Sequence, residues 1–225
     1  MSTPARLHDV ASRRGNQSRG NQSGEQTKER IIDAALATVS QEGLIGTSAR
    51  AIARTGDFNQ ALVFYHFGSV DELLLASLER ANERRMGRFR ERLEEVDDLP
   101  GLVRIATDLH GTRDDPDVPA LSAIVAGWSA SSGLGPQVIA TLQPWNDLVA
   151  GALKRAFGDS PFAAFLPTDQ LAHALSAMFL GIEMLARLDP DDSSTQTMFA
   201  SLGALANLAG PIIANPPGSE SFRHE

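Results

Sequence analysis

Two amide side chains and a methyl group follow one another at Asn59, Gln60 and Ala61, and two aromatic rings follow at Phe64 and Tyr65. An amide side chain can form two hydrogen bonds with the edge of adenine, and a methyl group can contact the methyl of thymine. Such side chains can read a base sequence only if they project from one exposed surface. The elements around them therefore decide what this chemistry means.

The residues before this group predict a short helix. Thr47 or Ser48 is a good N-cap, and Ala49, Ile52 and Ala53 recur on one face at helical spacing. The small side chain of Ala53 would let a second helix approach closely just before a turn.

Gly56 and Asp57 interrupt this pattern, and Asn59 can cap a second short helix. The turn between the helices needs a residue that accepts a left-handed backbone. Alignment of the pattern places Asp57 there, and a shift of one residue would place Gly56 there instead. Both residue types tolerate this conformation, so the sequence predicts a helix-turn-helix with either residue at the turn.

The second helix has an inner and an outer face. Phe58, Val63 and Phe67 are expected to pack inward. An outer face of mixed amides and aromatic rings suits the major groove of DNA. The residues expected on or near it are Asn59, Gln60, Ala61, Phe64 and Tyr65.

The region 27–78 resembles the N-terminal domain of the tetracycline-repressor (TetR) family of bacterial transcriptional regulators. The resemblance covers about a quarter of the chain. It rests on Ile31-Ile32-x-Ala34-Ala35-Leu36, Glu42-Gly43-Leu44-x-x-Thr47-Ser48, Ile52-Ala53, Val63-Phe64-Tyr65-His66-Phe67-Gly68-Ser69 and Asp71-Glu72-Leu73-Leu74.

This resemblance implies that the chain is a ligand-responsive repressor. Position in the motif assigns base contacts to Asn59, Gln60 and Ala61, with Phe64 on the same face. Phosphate contacts are expected from Lys28, Thr47, Ser48, Arg50, Tyr65 and His66. The sequence departs from the family at two positions, since Phe64 replaces the usual tyrosine and Val70 replaces a common lysine. His66 fits helix packing equally well.

Charge is distributed unevenly along this chain of 225 residues and net charge −8. Residues 1–70 hold eight Lys or Arg against six Asp or Glu, whereas the remainder holds twelve against twenty-two. One end is therefore suited to phosphates and the other to solvent.

The absence of cysteine and a hydrophobic content of 42% predict a core without disulfides, which fits a reducing cytoplasm. No apolar segment follows the early arginines, so we expect no signal peptide. The most apolar predicted helix carries His173, Glu183 and Arg187 and is too polar for a membrane span.

No segment shows a period of two, so the sequence predicts an all-α fold of about nine helices. Four regions are expected: a disordered basic tail (1–24), the helix-turn-helix domain (25–70), a helical effector-binding and dimerisation domain (71–214) and a flexible tail (215–225). Beyond the helix-turn-helix, helices are predicted at 25–41, 69–96, 100–111, 118–131, 136–157, 168–188 and 193–213. Pro144 is expected to kink its helix.

The last two helices are apolar over more than one stripe, so both must be covered on two sides. The resemblance implies that a second copy of the chain covers one side, which gives a four-helix homodimer interface. A larger intrachain core is the alternative. A dimer would place two recognition helices on half-sites about 34 Å or more apart.

The resemblance also implies a cavity for a small apolar or amphipathic effector among the later helices. Plain core packing is the more common reason for such residues at helical spacing. The candidate lining residues are Met86, Phe89, His110, Trp128, Trp145, Met178 and Phe179.

Two other functions were considered. The sequence contains no phosphate-binding glycine loop, nucleophile elbow or spaced metal ligands, so an enzyme, a cofactor and a metal are not expected. An effector-independent, architectural DNA-binding protein would be expected to be basic throughout, and the acidic C-terminal region disfavours it.

Overall fold

In a computed structural model of the chain, the backbone is described for residues 7–111, 115, 117–128, 133–158, 166–188 and 193–214. Side chains are described for the same residues except 7–22, 128, 187–188 and 211–214. The predicted tail at 215–225 lies outside the described residues.

The described residues form α-helices joined by turns, with no β-strand among them, which confirms the predicted all-α fold. The helices are α1 (Leu7–Gly46), α2 (Ala49–Gly56), α3 (Ala61–Phe67), α4 (Val70–Glu95), α5 (Leu99–Gly111), α6 (Asp117–Trp128), α7 (Gly135–Phe157), α8 (Thr168–Leu188) and α9 (Ser194–Ala214).

The predicted helix boundaries agree closely with these helices except at the N-terminus. Helix α8 has the predicted bounds, and α7 continues through Pro144. Helix α1 begins at Leu7 rather than at residue 25, so the tail predicted to be disordered is helical in its described backbone. No proline interrupts this stretch, and lengthening a helix that already packs needs no new nucleus.

Gly43 breaks α1 near its C-terminal end. Its backbone angles, φ 71° and ψ 172°, lie outside the helical region, which confirms the predicted helix end there. The last residues of α1 form a separate turn, closed where the Thr47 N–H donates to the carbonyl of Leu44.

The chain divides into two compact units, Met1–Ser77 (unit 1) and Leu78–Glu225 (unit 2). The division falls inside α4, later than the predicted boundary after residue 70. Helix α4 therefore begins in unit 1 and continues into unit 2.

Unit 1 has a small apolar core to which each of its helices contributes. Ile31 of α1, Ile52 of α2, Val63 of α3 and Leu73 of α4 are fully buried. Burial of each such side chain stabilises the folded state by roughly 1.5–3 kcal/mol. This core fixes how α2 and α3 are presented.

Unit 2 pairs α7 with α8 and α5 with α9. One buried cluster contains Phe89, Leu93 and Ile105, with Trp145 packed against it. A second contains Ala150, Leu153 and Ala172. The small side chain of Ala172 allows α7 and α8 to approach closely.

Helices α8 and α9 also keep large apolar side chains exposed. Packing within unit 2 buries Ala172 and Ala186 of α8 and Phe199 and Ala206 of α9. The exposed apolar residues are Leu175, Met178, Met184 and Leu185 on α8 and Leu205 and Leu208 on α9. The described core of one chain therefore covers only part of the apolar surface of these helices.

Within the described part of the chain, no single helix has both the length and the apolarity of a membrane span. Only α3 and α4, which are separated by a bend, meet both limits when they are taken together.

Candidate nucleic-acid interface and cavity

The start of α2 is fixed by Ser48, one of the two N-caps that the sequence allowed. Ser48 has an extended backbone, and its Oγ accepts a hydrogen bond from the Ala51 N–H at 3.2 Å. The hydroxyl of Thr47 instead donates to the Gly43 carbonyl at 2.8 Å. The Ser48 hydroxyl therefore caps α2, whereas the Thr47 hydroxyl bonds to the end of α1. Both hydroxyls lie near the N-terminus of α2.

The turn between α2 and α3 uses both candidate residues, each for a different reason. Asp57 has the left-handed backbone, with φ 51° and ψ 58°, which confirms the predicted alignment. Gly56 supplies space, because a Cβ there would lie 2.2 Å from Cε1 of Phe58 and 2.8 Å from Cβ of Ala34. Any side chain at Gly56 would therefore push the turn away from α1.

Arg30 of α1 holds this turn from outside. Its Nη2 donates to the carbonyl oxygens of Gly56 at 2.7 Å and Asp57 at 2.6 Å. Its guanidinium carbon also lies 5.7 Å from the centre of the Phe58 ring. This role was not predicted from the sequence, because no spacing rule links an arginine on the first helix to a turn 26 residues later.

The second helix of the motif presents the predicted outer face. Val63 is fully buried, whereas Phe58 and Phe67 are only partly buried. The Asn59 Oδ1 accepts from the Ala61 N–H at 2.8 Å, whereas the N-cap residue of α3 is Gln60. Exposed side chains follow around the helix, at Gln60, Ala61, Phe64 (51% exposed) and Tyr65 (82%).

Unit 2 contains a cavity of about 440 Å³, lined by residues of helices α4 to α9. Ligand pockets in proteins typically measure about 300–1,000 Å³ and are mostly apolar. The lining here is mostly aliphatic and aromatic, and it includes Trp145, Phe179 and Phe199. The cavity therefore has the size and character of a site for a small organic molecule.

Comparison with known proteins matches residues 31–77 to the family of bacterial regulatory proteins named tetR. The HTH-type transcriptional regulator UidR of Escherichia coli strain K12 is 24% identical over 197 residues, which cover 84% of this chain and 94% of UidR. These matches show that the chain is similar to TetR-family transcriptional regulators. The residues matched to the family, 31–77, contain the helix-turn-helix just described.

Solved structures share the fold of this chain over most of its length. FadR of Bacillus halodurans, a fatty acid degradation regulator, superposes with a TM-score of 0.62 at 15% identity, covering 88% of this chain and 97% of FadR. The multidrug binding protein EbrR, solved with imidazole, superposes with a TM-score of 0.58 at 23% identity, covering 80% of this chain and 94% of EbrR. EbrR has also been solved with malachite green.

The candidate phosphate-contacting residues differ in the partners that they have within the chain. Arg50 is exposed, and no hydrogen bond or ion pair to it occurs among the described residues. Lys28 forms an exposed ion pair with Glu25 at 3.0 Å. His66 is half-buried, and its ring lies 4.9 Å from Tyr65 and 6.4 Å from Phe67 between ring centres.

Three of the predicted ligand residues line the cavity, namely Trp145, Met178 and Phe179. Met86, Phe89 and His110 are buried and do not belong to the lining. Phe89 packs on Leu93, which does line the cavity, so helical spacing alone could not separate the wall from the layer behind it. The side chain of Trp128 lies outside the described residues.

The charged side chains of the lining are held by the protein. Glu183 of α8 forms a buried pair with Nδ1 of His110 at 2.8 Å, and the His110 ring lies 5.2 Å from that of Phe199. Arg85 donates to the carbonyl of Leu109 at 3.0 Å and lies over the Phe179 ring. His110 was predicted as a candidate ligand contact, whereas in the structure it is paired with Glu183.

Two amides of the lining have unmet hydrogen-bonding groups. Asn82 of α4 and Asn146 of α7 are 8% and 9% exposed. Among the described residues, the Asn82 Nδ2 and the Asn146 Oδ1 have no hydrogen-bond partner. Neither residue was singled out from the sequence, because an asparagine in an amphipathic helix resembles any solvated polar residue.

Proposed function

We propose that this TetR-family regulator is a repressor that binds a palindromic operator as a homodimer and is released by a small apolar or amphipathic molecule. The observation that carries the proposal is the cavity of about 440 Å³ in the same chain as an exposed recognition helix. Such a chain combines a DNA reader with a place for an effector. Repression itself follows from the family resemblance.

Base reading is assigned first to Gln60 and Ala61, because both are exposed at the start of α3. Gln60 has no side-chain capping bond in the structure, so both ends of its amide can face an adenine edge. Asn59 also reads bases in this proposal, through its Nδ2, because its Oδ1 accepts from Ala61. Phe64 adds an apolar contact on the same face.

Phosphate contacts are assigned to residues around α1, α2 and the end of α3. The exposed guanidinium of Arg50 needs no rearrangement to meet a phosphate. Exchanging Glu25 for a phosphate costs Lys28 little, because exposed ion pairs contribute about 0–1 kcal/mol. The remaining candidates supply hydroxyl or imidazole donors, namely Thr47, Ser48, Tyr65 and His66.

The dimer is proposed to form through α8 and α9. Leu185 (66% exposed), Leu205 (61%) and Leu208 (72%) leave large apolar surface in solvent. Contiguous apolar surface on a folded chain usually marks an interface. A second copy supplies the matching surface, because the same helices face each other across a two-fold axis.

The effector is proposed to act on DNA binding through α4. This helix begins in unit 1 and continues along the cavity. Within unit 2, Arg92 binds Asp108 at 2.6 Å, and Arg88 binds Asp115. A ligand that shifts the neighbouring helices therefore acts directly on α4. Release follows if the ligand-bound arrangement holds the recognition helices away from the operator spacing.

The alternative of an effector-independent architectural protein has less support. A cavity of this size has no use in a protein that only coats DNA. The acidic balance outside residues 1–70 also opposes sequence-tolerant binding, which depends on phosphate neutralisation.

DNA recognition is tested by selecting bound duplexes from a random pool and comparing affinities for the selected and a scrambled duplex. We expect Gln60→Ala to weaken binding to the selected duplex by about tenfold or more and to leave binding to the scrambled duplex nearly unchanged. Arg50→Ala is the matched variant, and it should weaken both and flatten the salt dependence. Equal losses for the two variants, or equal wild-type affinity for the two duplexes, would refute the assignment.

Dimerisation is tested by sedimentation of the full chain. Leu185→Glu and Leu208→Glu each place a charge on the proposed interface and should shift the wild-type dimer to monomer at micromolar concentration. Ile139→Glu is the control, because Ile139 of α7 is equally exposed, at 61%, and lies outside α8 and α9. A wild-type monomer, or a dimer unaffected by both leucine variants, would refute the interface.

A further inference from the structure

The cavity wall contains two buried amides whose hydrogen-bonding needs are complementary. Asn82 lies on α4 and Asn146 on α7, and both line the cavity while more than nine-tenths of their surface is buried. The Asn82 Nδ2 is a donor, and the Asn146 Oδ1 is an acceptor. Neither atom has a partner among the described residues.

A buried donor or acceptor without a partner destabilises a fold, and folded proteins contain few of them. Leucine or methionine at either position would extend the apolar wall without that cost. The two amides therefore point to a partner that is not part of the chain. Their position on the cavity wall places that partner in the cavity.

The rest of the wall restricts the charge of this partner. Arg85 donates through its Nη2 to the Leu109 carbonyl, and Glu183 is bound to His110, so each of these charged side chains already has a partner within the protein. Trp145 and Phe179 supply apolar surface around them. The loss of hydration against this wall would cost a charged ligand far more than a neutral one.

We propose that the cavity binds a neutral, largely apolar molecule with one hydrogen-bond acceptor, which meets the Asn82 Nδ2, and one N–H or O–H donor, which meets the Asn146 Oδ1. A secondary amide or a lactam has this pair of groups. The inference rests on the proposed function, which makes the cavity the effector site, and it adds the hydrogen-bonding pattern of the effector.

The experiment compares two probes of the same shape, the secondary amide benzanilide and the hydrocarbon trans-stilbene. Their dissociation constants are measured on the full chain by displacement of the fluorescent reporter N-phenyl-1-naphthylamine. The measured quantity is the preference for benzanilide over trans-stilbene in wild type, Asn82→Leu and Asn146→Leu. This preference is the ratio of the two dissociation constants. Because the same two probes are used for every variant, their difference in hydrophobicity cancels when the ratios are compared.

The control is Ser122→Ala. Ser122 also lines the cavity and is buried, but its hydroxyl donates to the Val118 carbonyl at 3.1 Å. Its loss should leave the preference unchanged within about twofold. Each asparagine variant should lower the preference by about tenfold, because a site built for hydrogen bonds discriminates against a ligand that cannot make them.

Each outcome decides the inference. An unchanged preference, with both probes still bound, would overturn it and leave the proposed function standing. An asparagine variant that failed to fold would also overturn it, because the amide would then be paired within the protein. Failure of the reporter and both probes to bind the wild-type chain would overturn the inference together with the effector part of the proposed function.

Discussion

The turn at residues 56–58 and the cavity wall around Asn82 differ in whether the chain supplies hydrogen-bond partners for their polar groups. At the turn, Arg30 binds two backbone carbonyls that α2 leaves open, and Phe58 fills the space that Gly56 leaves. On the wall, two amide atoms are buried without a partner among the described residues. In our proposal, the surface that faces DNA is completed by the chain itself, whereas the cavity is completed by a ligand.

The largest effect is expected from a substitution that adds a methyl group at the turn. Gly56→Ala places a Cβ against Phe58 and Ala34, and we expect it to lower the stability of unit 1 by about 3 kcal/mol and to abolish operator binding. Thermal unfolding followed by circular dichroism, together with DNA-binding anisotropy, measures both effects.

Gly87→Ala is the control for this substitution. Gly87 is exposed in the middle of α4, and a Cβ there would meet nothing within 4 Å. Alanine should stabilise that helix by about 0.5–1 kcal/mol. If Gly56→Ala proved as harmless as Gly87→Ala, close packing at the turn would not fix the motif.

Removal of the Arg30 hydrogen bonds to the turn should have the next largest effect. Arg30→Ala leaves two turn carbonyls to water, and we expect a loss of about 2 kcal/mol in the stability of unit 1 with weaker operator binding. Arg54→Ala is the matched variant, because Arg54 forms only an exposed ion pair with Glu42 at 2.5 Å. That pair should contribute less than about 1 kcal/mol. Similar losses of stability for both arginine variants would show that the Arg30 hydrogen bonds do not stabilise the turn.

A pair of polar-to-apolar substitutions compares the two regions directly. Ser48→Ala removes the α2 N-cap and should cost about 1 kcal/mol. Asn82→Leu removes a buried amide whose Nδ2 is unpaired, and it should leave the unliganded chain equally stable or more stable by up to about 1 kcal/mol. Chemical denaturation of each variant gives the two numbers. A clear loss of stability in Asn82→Leu would show that the Asn82 amide, like the Ser48 hydroxyl, stabilises the unliganded chain.

The smallest effect concerns the left-handed residue. Asp57→Gly removes the strain of a non-glycine residue at φ 51°, and it should stabilise unit 1 by about 0.5–1 kcal/mol without weakening DNA binding. A loss of DNA affinity would show that the Asp57 side chain has a role in addition to its backbone conformation.

The sequence allowed the motif to be predicted in detail because local rules govern it. A cap, a helical stripe and a turn residue lie within 21 residues, and the structure has Ser48 as N-cap and Asp57 at the turn. Asn59, predicted as the second cap, accepts from the first N–H of α3, one residue before the N-cap Gln60. The long-range parts were not predictable. Arg30 acts on a turn 26 residues away, and the His110–Glu183 pair joins residues 73 positions apart.

The cavity shows the same limit. Met86 and Phe89 have the residue types and spacing of a ligand wall, yet they lie outside the lining. The two asparagines that line it resemble ordinary polar positions in their helices. The packing of six helices determines which side of a buried helix faces the cavity. The sequence of one helix alone does not determine that packing.

We propose that two copies of this chain act together on DNA, and this is tested by counting the protomers bound to a selected palindromic duplex. Sedimentation equilibrium of the full chain should find two protomers on the intact palindrome and much weaker binding to an isolated half-site. One protomer bound to a half-site as tightly as to the palindrome would refute binding as a dimer.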